Sequence, residues 1–118
     1  MSKQTLKCPS KSIVRRNASI FAALGDETRL RLLIKLGTDE PQSIKQLTID
    51  LPVTRQAVTK HLRVLESAKL VSQTAHGRER RFVAQQSGIE QAHAALRMIA
   101  QQWDDALARL KAFAEEAQ

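Results

Sequence analysis

Residues 53–68, with the sequence VTRQAVTKHLRVLESA, decide the fold expected for this chain. Val58, Leu62 and Leu65 recur at helical spacing, so they predict one apolar face of a helix. The opposite face is polar and basic, and its side chains are of the kinds that hydrogen-bond to base edges and phosphates. Its members are Arg55, Gln56, Thr59, Lys60 and Arg63.

A shorter amphipathic segment precedes this helix. Residues 43–46, SIKQ, have the pattern of a capping box, and apolar residues follow at Leu47 and Leu51. Thr54 is placed to cap the first turn of the longer helix. Two helices joined by a turn over residues 50–53 have the layout of a helix-turn-helix, in which the second helix reads DNA.

The charge of the chain is concentrated in two segments. The chain has 118 residues and a formal net charge of +7. Residues 1–17 hold five lysines or arginines and no acid, and residues 53–87 hold seven against two acids. Such clustering is typical of a protein that binds a polyanion, so double-stranded DNA is the expected partner.

Several other functions are disfavoured by the composition. The single cysteine, Cys8, allows no intramolecular disulfide and no multi-cysteine zinc site within one chain. No apolar run reaches the length of a membrane span, and the basic N-terminus lacks the apolar core of a signal peptide, so a soluble cytoplasmic protein is expected. The three histidines, His61, His76 and His93, lie on different elements without a nearby nucleophile and orienting acid, so we expect neither an enzyme nor a cofactor.

The rest of the chain is predicted to form one domain over residues 12–118, behind a flexible basic arm over residues 1–11. A first helix is expected from Ser12 to Leu24, followed by a second that Asp26 caps. The buried face of the second helix is predicted to consist of Leu30, Leu33 and Ile34. It is expected to end at Gly37, before a turn over residues 38–42.

A basic β-hairpin is predicted after the helix-turn-helix. Its strands are residues 70–74 and 79–84, and residues 76–78 form the turn. Arg78, Arg80 and Arg81 are candidates for contact with phosphates or the minor groove. Because neighbouring residues of a strand face opposite sides, Arg80 and Arg81 are not both expected to touch DNA. The alternative is a solvent-facing hairpin whose arginines only aid solubility.

The last part of the chain predicts one long helix over residues 88–116, opened by a capping box at residues 87–90. Apolar residues recur along it at three- and four-residue spacing, and a chain this small has little to cover them. We therefore expect a homodimer in which this stripe packs on the first helix of a partner, rather than a helix packed wholly within its own chain. The expected interface residues are Ile20, Phe21, Leu24, Leu96, Ile99, Trp103, Leu107 and Leu110.

Two segments resemble the signatures of the ArsR-type winged-helix repressors. Residues 24–33, LGDETRLRLL, are similar to the start of that family's second helix, and residues 58–71, VTKHLRVLESAKLV, to its recognition helix. The resemblance implies a mainly α winged helix-turn-helix with a small β-hairpin, dimerising through its first and last helices. It also implies a repressor that binds an inverted repeat and is released by an effector, here unknown. The predicted DNA-contacting residues are Thr54, Arg55, Gln56, Thr59, Lys60, His61, Arg63, Arg78, Arg80 and Arg81.

The chain departs from this family at the helix end and at the metal sites. Lys69 stands where the family often has glycine, which costs about 1 kcal/mol if the position is left-handed. Ser43 and Lys45 replace the paired cysteines of the soft-metal sensors, and no metal is expected. On the terminal helix, the positions of a second metal site hold Glu90, His93, Asp104 and Leu107, of which the first three could in principle bind a borderline metal such as zinc.

Two alternative functions remain open at this stage. One is a metal- or thiol-responsive repressor of the same fold, in which Cys8, between Lys7 and Lys11, would be the thiol. The other is a winged helix that binds proteins and never touches DNA. The basic charge of residues 53–87 argues against the second alternative.

Overall fold

A computed structural model describes residues 10–38 and 40–116. Within these ranges the chain is mainly helical with a small antiparallel sheet, which confirms the predicted fold class. The elements in order are α1 (Lys11–Leu24), α2 (Glu27–Lys35), β1 (Gln42–Ser43), α3 (Ile44–Thr48), α4 (Arg55–Ser67), β2 (Val71–His76), β3 (Glu79–Ala84) and α5 (Gln86–Glu116).

The core of the domain surrounds α4. The predicted apolar face of this helix, Val58, Leu62 and Leu65, is fully buried. Residues from the other elements close around it, since a helix with one apolar face is stable only when that face is covered. The main ones are Ile20, Ala23, Leu32, Leu36, Leu47, Leu70, Val71 and Phe82.

Side-chain caps set where the helices begin. The Thr54 hydroxyl accepts a hydrogen bond from the Ala57 amide at 3.1 Å, so α4 begins where it was predicted to begin. The capping box of Ser43 and Gln46 is also present. Ser10 caps α1, which therefore begins at Lys11, one residue earlier than predicted. Residues 1–9 of the predicted basic arm, with Cys8, lie outside the described residues.

Two predictions for α2 and the turn after it were wrong. Leu30 and Ile34 are 45% and 69% exposed, and the buried residues are Leu32 and Leu36. The turn over residues 38–42 contains the start of a strand, because β1 pairs with β3 and joins α3 to the sheet. This pairing is between distant parts of the chain, which a local sequence pattern does not encode.

The hairpin lies beside α4, and its second strand is central in the sheet order β1-β3-β2. β3 has the predicted bounds, whereas β2 runs two residues further than predicted, to His76. His76 pairs with Glu79, which leaves a two-residue loop of Gly77 and Arg78. Gly77 has φ +65°, a conformation that glycine adopts without steric cost and that tight hairpin loops require.

A close contact joins the end of α4 to the start of α5. Lys69 is left-handed, with φ +63°, and the Leu70 amide donates to the Leu65 carbonyl at 3.0 Å to close the helix. The Lys69 carbonyl in turn accepts from the Gly88 amide at 3.0 Å. A Cβ atom at Gly88 would collide with that carbonyl oxygen, so only glycine fits there. The predicted capping box at residues 87–90 is wrong, because α5 already begins at Gln86.

We expect Lys69→Gly to stabilise the folded protein. A non-glycine residue in the left-handed conformation costs about 1 kcal/mol, and glycine does not pay this cost. Urea unfolding should therefore give a free energy of unfolding about 1 kcal/mol higher than that of the parent. Lys69→Ala, which removes the same side chain but keeps a Cβ, is the control and should show no such gain.

Candidate nucleic-acid interface

The solvent side of α4 is a polar ridge. Gln56, Lys60 and Arg63 are exposed along it, and Arg55 is exposed in its first turn. Thr59 is half-buried, and its hydroxyl donates to the Arg55 carbonyl at 2.8 Å. Four of the predicted residues on this helix thus present long polar side chains to solvent together, which is the arrangement that major-groove reading requires.

His61 does not belong to this ridge, contrary to its predicted role in DNA contact. It lies against the start of α2, where its Nδ1 atom is 3.3 Å from Nη1 of Arg29 and 3.8 Å from the Asp26 carboxylate. On a helix, residue 61 points about 100° away from residue 60, toward the neighbouring helices. The contact instead fixes α4 against α2.

Arg29 is a positioning residue that the sequence analysis missed. Its Nε donates to the Ala23 carbonyl at 2.8 Å and its Nη2 to the Ala22 carbonyl at 3.3 Å. These carbonyls end α1, where helices carry unsatisfied acceptors. One guanidinium therefore joins α1, α2 and, through His61, α4. The segment LGDETR predicts the Asp26 cap, but its spacing gives no signal for the contacts of Arg29 with other helices.

Asp26 completes this junction as the cap of α2. Its carboxylate accepts a hydrogen bond from the Arg29 amide at 3.1 Å. This hydrogen bond is the main reason that the pKa of Asp26 lies below its ordinary value, and the positive charge of Arg29 lowers the pKa further. The ionised carboxylate is thus the form that caps the helix.

A chain of polar contacts holds the wing against α4. The Glu66 carboxylate on α4 accepts from Gln73 on β2 at 2.9 Å. The Gln73 amide oxygen in turn accepts from the guanidinium of Arg80 on β3 at 3.4 Å. This series of contacts sets the position of Arg80 relative to the polar ridge on α4. Neither Glu66 nor Gln73 was predicted, because such a contact depends on how the hairpin folds back.

The three predicted wing arginines have different surroundings. Arg80 is exposed and lies with Arg63 in a crevice between α4 and the hairpin. Arg78 is exposed in the hairpin loop. Arg81 is half-buried and donates from Nε to the Glu79 carboxylate at 2.9 Å. This ion pair offsets the positive charge of Arg81. Arg78 and Arg80 are therefore the arginines of the hairpin that are best placed for a phosphate.

The residues predicted to form a dimer interface fall into three groups. Ile20 is only 1% exposed and packs in the core of its own chain, so its assignment to a surface shared with a partner is corrected. Phe21 and Leu24 are half-buried on α1. The remaining five residues are 46–66% exposed along α5: Leu96, Ile99, Trp103, Leu107 and Leu110.

Within residues 10–38 and 40–116, no three His, Cys, Asp or Glu side chains come together as metal ligands would. Glu90, His93 and Asp104 are exposed along α5. No helix in the same ranges combines the length and apolar character that crossing a bilayer requires.

Comparison with known proteins places these features in context. A family model described as a helix-turn-helix domain matches residues 24–74. The uncharacterized HTH-type transcriptional regulator YuzN of Bacillus subtilis strain 168 is 44% identical over 68 residues, covering 52% of this chain and 74% of YuzN. An ArsR-like transcriptional regulator from Rhodococcus sp. RHA1 superposes with a TM-score of 0.76 at 39% identity, covering 86% of this chain and 95% of that protein. A possible transcriptional regulator for arsenical resistance superposes with a TM-score of 0.64 at 32% identity, covering 80% and 94%.

The Asp26 cap should make stability depend on pH. A carboxyl whose pKa is lower in the folded than in the unfolded chain adds stability above its ordinary pKa, and that stability is lost as the pH falls through the lowered value. Asp26→Asn keeps a capping oxygen but cannot titrate. We therefore expect urea unfolding at a series of pH values to show a smaller loss of stability on acidification for this variant. An equally steep loss would mean that the carboxylate of Asp26 is not its source.

Proposed function

The chain belongs to the ArsR-like family of helix-turn-helix transcriptional regulators, and we propose that it represses transcription as a homodimer bound to an inverted repeat in double-stranded DNA. The observation that carries this proposal is the exposed ridge of Gln56, Lys60 and Arg63 on α4, with Arg80 of the wing beside it. Cationic and amide side chains in one row match the phosphates and base edges of one groove.

The exposed ridge supports insertion of α4 into the major groove. Residues at the start of a recognition helix contact base edges, so Arg55 and Gln56 are proposed to read sequence. Arginine pairs with guanine and glutamine with adenine through two hydrogen bonds each. Lys60 and Arg63, further along the helix, and Thr54 at its cap are proposed to contact the backbone. Arg78 and Arg80 would contact phosphates beside the major groove.

The long α5 supports a dimer. Its buried residues, Gly88, Ala92 and Ala95, all lie in its first three turns, where α1 and the end of α4 cover it. Beyond them, Trp103 is 66% and Phe113 70% exposed. A row of large apolar side chains along an otherwise uncovered helix marks a surface for association. We call the row of Leu96, Ile99, Trp103, Leu107 and Leu110 the α5 stripe.

The charges beside the α5 stripe favour an antiparallel pairing of two α5 helices. Glu90, Arg97, Asp104 and Lys111 lie along one edge of the stripe, at about 100° per residue. A two-fold axis between residues 100 and 101 places Glu90 opposite the partner's Lys111 and Arg97 opposite the partner's Asp104. In the same register Trp103 falls between the partner's Leu96 and Ile99, so the apolar side chains interleave.

Other pairings of the two helices are disfavoured by the same charges. A shift of one heptad sets Asp104 opposite the partner's Asp104 and Arg97 opposite the partner's Lys111. A parallel pairing places this edge of the two helices on opposite sides of the pair, so the charges gain no partners. Like charges that face each other across a helix pair are unfavourable, so the pattern selects one arrangement.

Variants of the recognition ridge test the DNA contacts. Arg55→Ala or Gln56→Ala should cost about 1–3 kcal/mol of binding free energy and relax sequence preference at one base position. Lys60→Ala should weaken binding to all sequences. It should also reduce the slope of log affinity against log salt concentration by about one, because one fewer counterion is released. Titrations of an operator and a scrambled duplex at several salt concentrations measure both effects.

Arg31→Ala is the matched control for these titrations. Arg31 lies on α2 and pairs with Glu27 at 2.6 Å, away from the ridge, so its loss should leave sequence preference unchanged. Full affinity and selectivity in Arg55→Ala and Gln56→Ala would contradict the assignment of base reading to the start of α4.

The α5 stripe is tested by Trp103→Ala. Truncating an aromatic side chain in a packed interface costs about 3–5 kcal/mol, so the variant should shift from dimer toward monomer in sedimentation at micromolar concentration. The variant should also bind the operator less tightly, although residue 103 does not contact DNA, because a monomer holds only one half-site. A monomeric variant that binds as tightly as the parent would contradict this coupling, and a monomeric parent would contradict the dimer.

Charge exchange tests the register. Arg97→Asp replaces two exposed ion pairs, each worth about 0.2–1 kcal/mol, with repulsions, so it should weaken the dimer about tenfold. The double variant R97D/D104R should restore the dimer. Arg109→Asp makes the same change of charge away from the edge of the stripe and is the control. Failure of the double variant to restore dimerisation would overturn the register.

A further inference from the structure

A groove between α1 and α5 remains outside the proposed DNA and dimer surfaces. It consists of two adjoining cavities of about 460 and 320 Å3, both lined by Arg16 and Gln91. On α5, its residues Gln91 and Met98 point about 120–160° away from Leu96 and Trp103 of the α5 stripe and about 80–100° away from Ile99. Association through the stripe therefore leaves this groove, which we call the α1–α5 groove, accessible.

One end of the α1–α5 groove is cationic. Arg16 and Lys69 line it together with the hydroxyl-bearing Ser19, Ser67 and Ser87. Within the described part of the chain, the side chains of Arg16 and Lys69 form no ion pair. A guanidinium, an ammonium and hydroxyl groups in one cavity favour an anionic ligand group such as a carboxylate.

The other end of the groove is apolar. Its walls are Ile13 of α1 and Ala94, Ala95 and Met98 of α5. Ile13 and Met98 are 48% and 45% exposed, so each leaves apolar surface available to a ligand. The unbranched, polarisable methionine side chain adapts to ligands of different shapes.

Gln91 lies where the two ends meet, and its side-chain oxygen is buried. Among the described residues, this Oε1 atom has no hydrogen-bond partner. A buried acceptor without a partner is unfavourable, and a donor such as a water molecule relieves the cost. Gln91 thus belongs to both cavities, at the junction of the cationic and apolar ends.

We propose that the α1–α5 groove binds a small organic acid, with its carboxylate at Arg16 and Lys69 and its apolar body along Ile13 and Met98. The groove extends along α5 from Ser87 to Met98, about 16 Å at the helical rise, which accommodates an extended aliphatic acid. A ligand held at one end by cations and at the other end by apolar contact must contain both a carboxylate and an apolar tail. Acids without a tail and tails without an acid should bind weakly.

The position of the groove connects such a ligand to DNA binding, a step that rests on the proposed function. Ser67 and Lys69, at the end of α4, line its cationic end, and α1 forms one wall. A bound acid therefore touches the recognition helix at the end opposite Arg55. It also adds negative charge to a domain whose positive potential attracts DNA, so it should weaken operator binding.

Calorimetry of the intact protein with octanoate tests the binding itself. We expect saturable binding of one octanoate per chain, and binding at least about tenfold weaker for acetate, which lacks the tail, and for octan-1-ol, which lacks the charge. Arg16→Gln should weaken octanoate about tenfold. Arg15→Gln, its neighbour outside the groove, is the matched control and should bind like the parent.

Each other outcome would overturn the site. Absence of saturable octanoate binding excludes it, and equal binding of octan-1-ol would show an apolar patch without an anion site. An equal loss in Arg15→Gln and Arg16→Gln would show unspecific attraction to the basic surface. Met98→Gln should reduce the preference for octanoate over acetate, and an unchanged preference would contradict placement of the tail at this end.

A DNA titration with and without octanoate separates this inference from the proposed function. We expect saturating octanoate to weaken operator binding in the parent and in Arg15→Gln but not in Arg16→Gln. If the protein binds no DNA in the absence of octanoate, the proposed function fails while calorimetry still decides the site. If octanoate binds and operator affinity is unchanged, the groove is a binding site without the coupling.

Discussion

The burial of one side of α4 is the constraint on which the rest of the structure depends. Val58, Leu62 and Leu65 are covered on that side by residues that precede and follow α4 in sequence. Burying one such side chain contributes about 1.5–3 kcal/mol, whereas an exposed ion pair contributes about 0–1 kcal/mol. The apolar residues therefore decide how α4 is rotated, and the row of Gln56, Lys60 and Arg63 faces solvent as a consequence.

Local chemistry made the helix-turn-helix predictable. The Thr54 cap and the Ser43–Gln46 capping box involve neighbours in sequence, so residue spacing was enough to find them. The phase of α2 was not predictable in the same way, because Leu30, Leu32, Leu33, Ile34 and Leu36 offer two apolar faces in one short helix. Packing against α1 and α4 buries the face that contains Leu32 and Leu36.

The sequence predicted the residue types of the candidate nucleic-acid interface but only part of its geometry. The ridge on α4 follows from helical periodicity, but the orientation of His61 depends on Arg29, which is 32 residues away in sequence. The Glu66, Gln73 and Arg80 contacts likewise require the hairpin to fold back onto α4. Contacts between elements distant in sequence are set by the assembled fold, and no single segment encodes them.

The contact of Gly88 with the Lys69 carbonyl has a mechanical consequence. Since no side chain fits between them, the end of α4 and the start of α5 meet at a close backbone contact that fixes the angle between the two helices in this structure. In the proposed dimer, the paired α5 helices, each about 46 Å long, set the distance between the two α4 helices. The half-sites of the proposed operator would then be separated by a fixed number of base pairs, near one helical repeat or a multiple of it. A rotation of a few degrees at this contact would move the two α4 helices out of phase with successive major grooves.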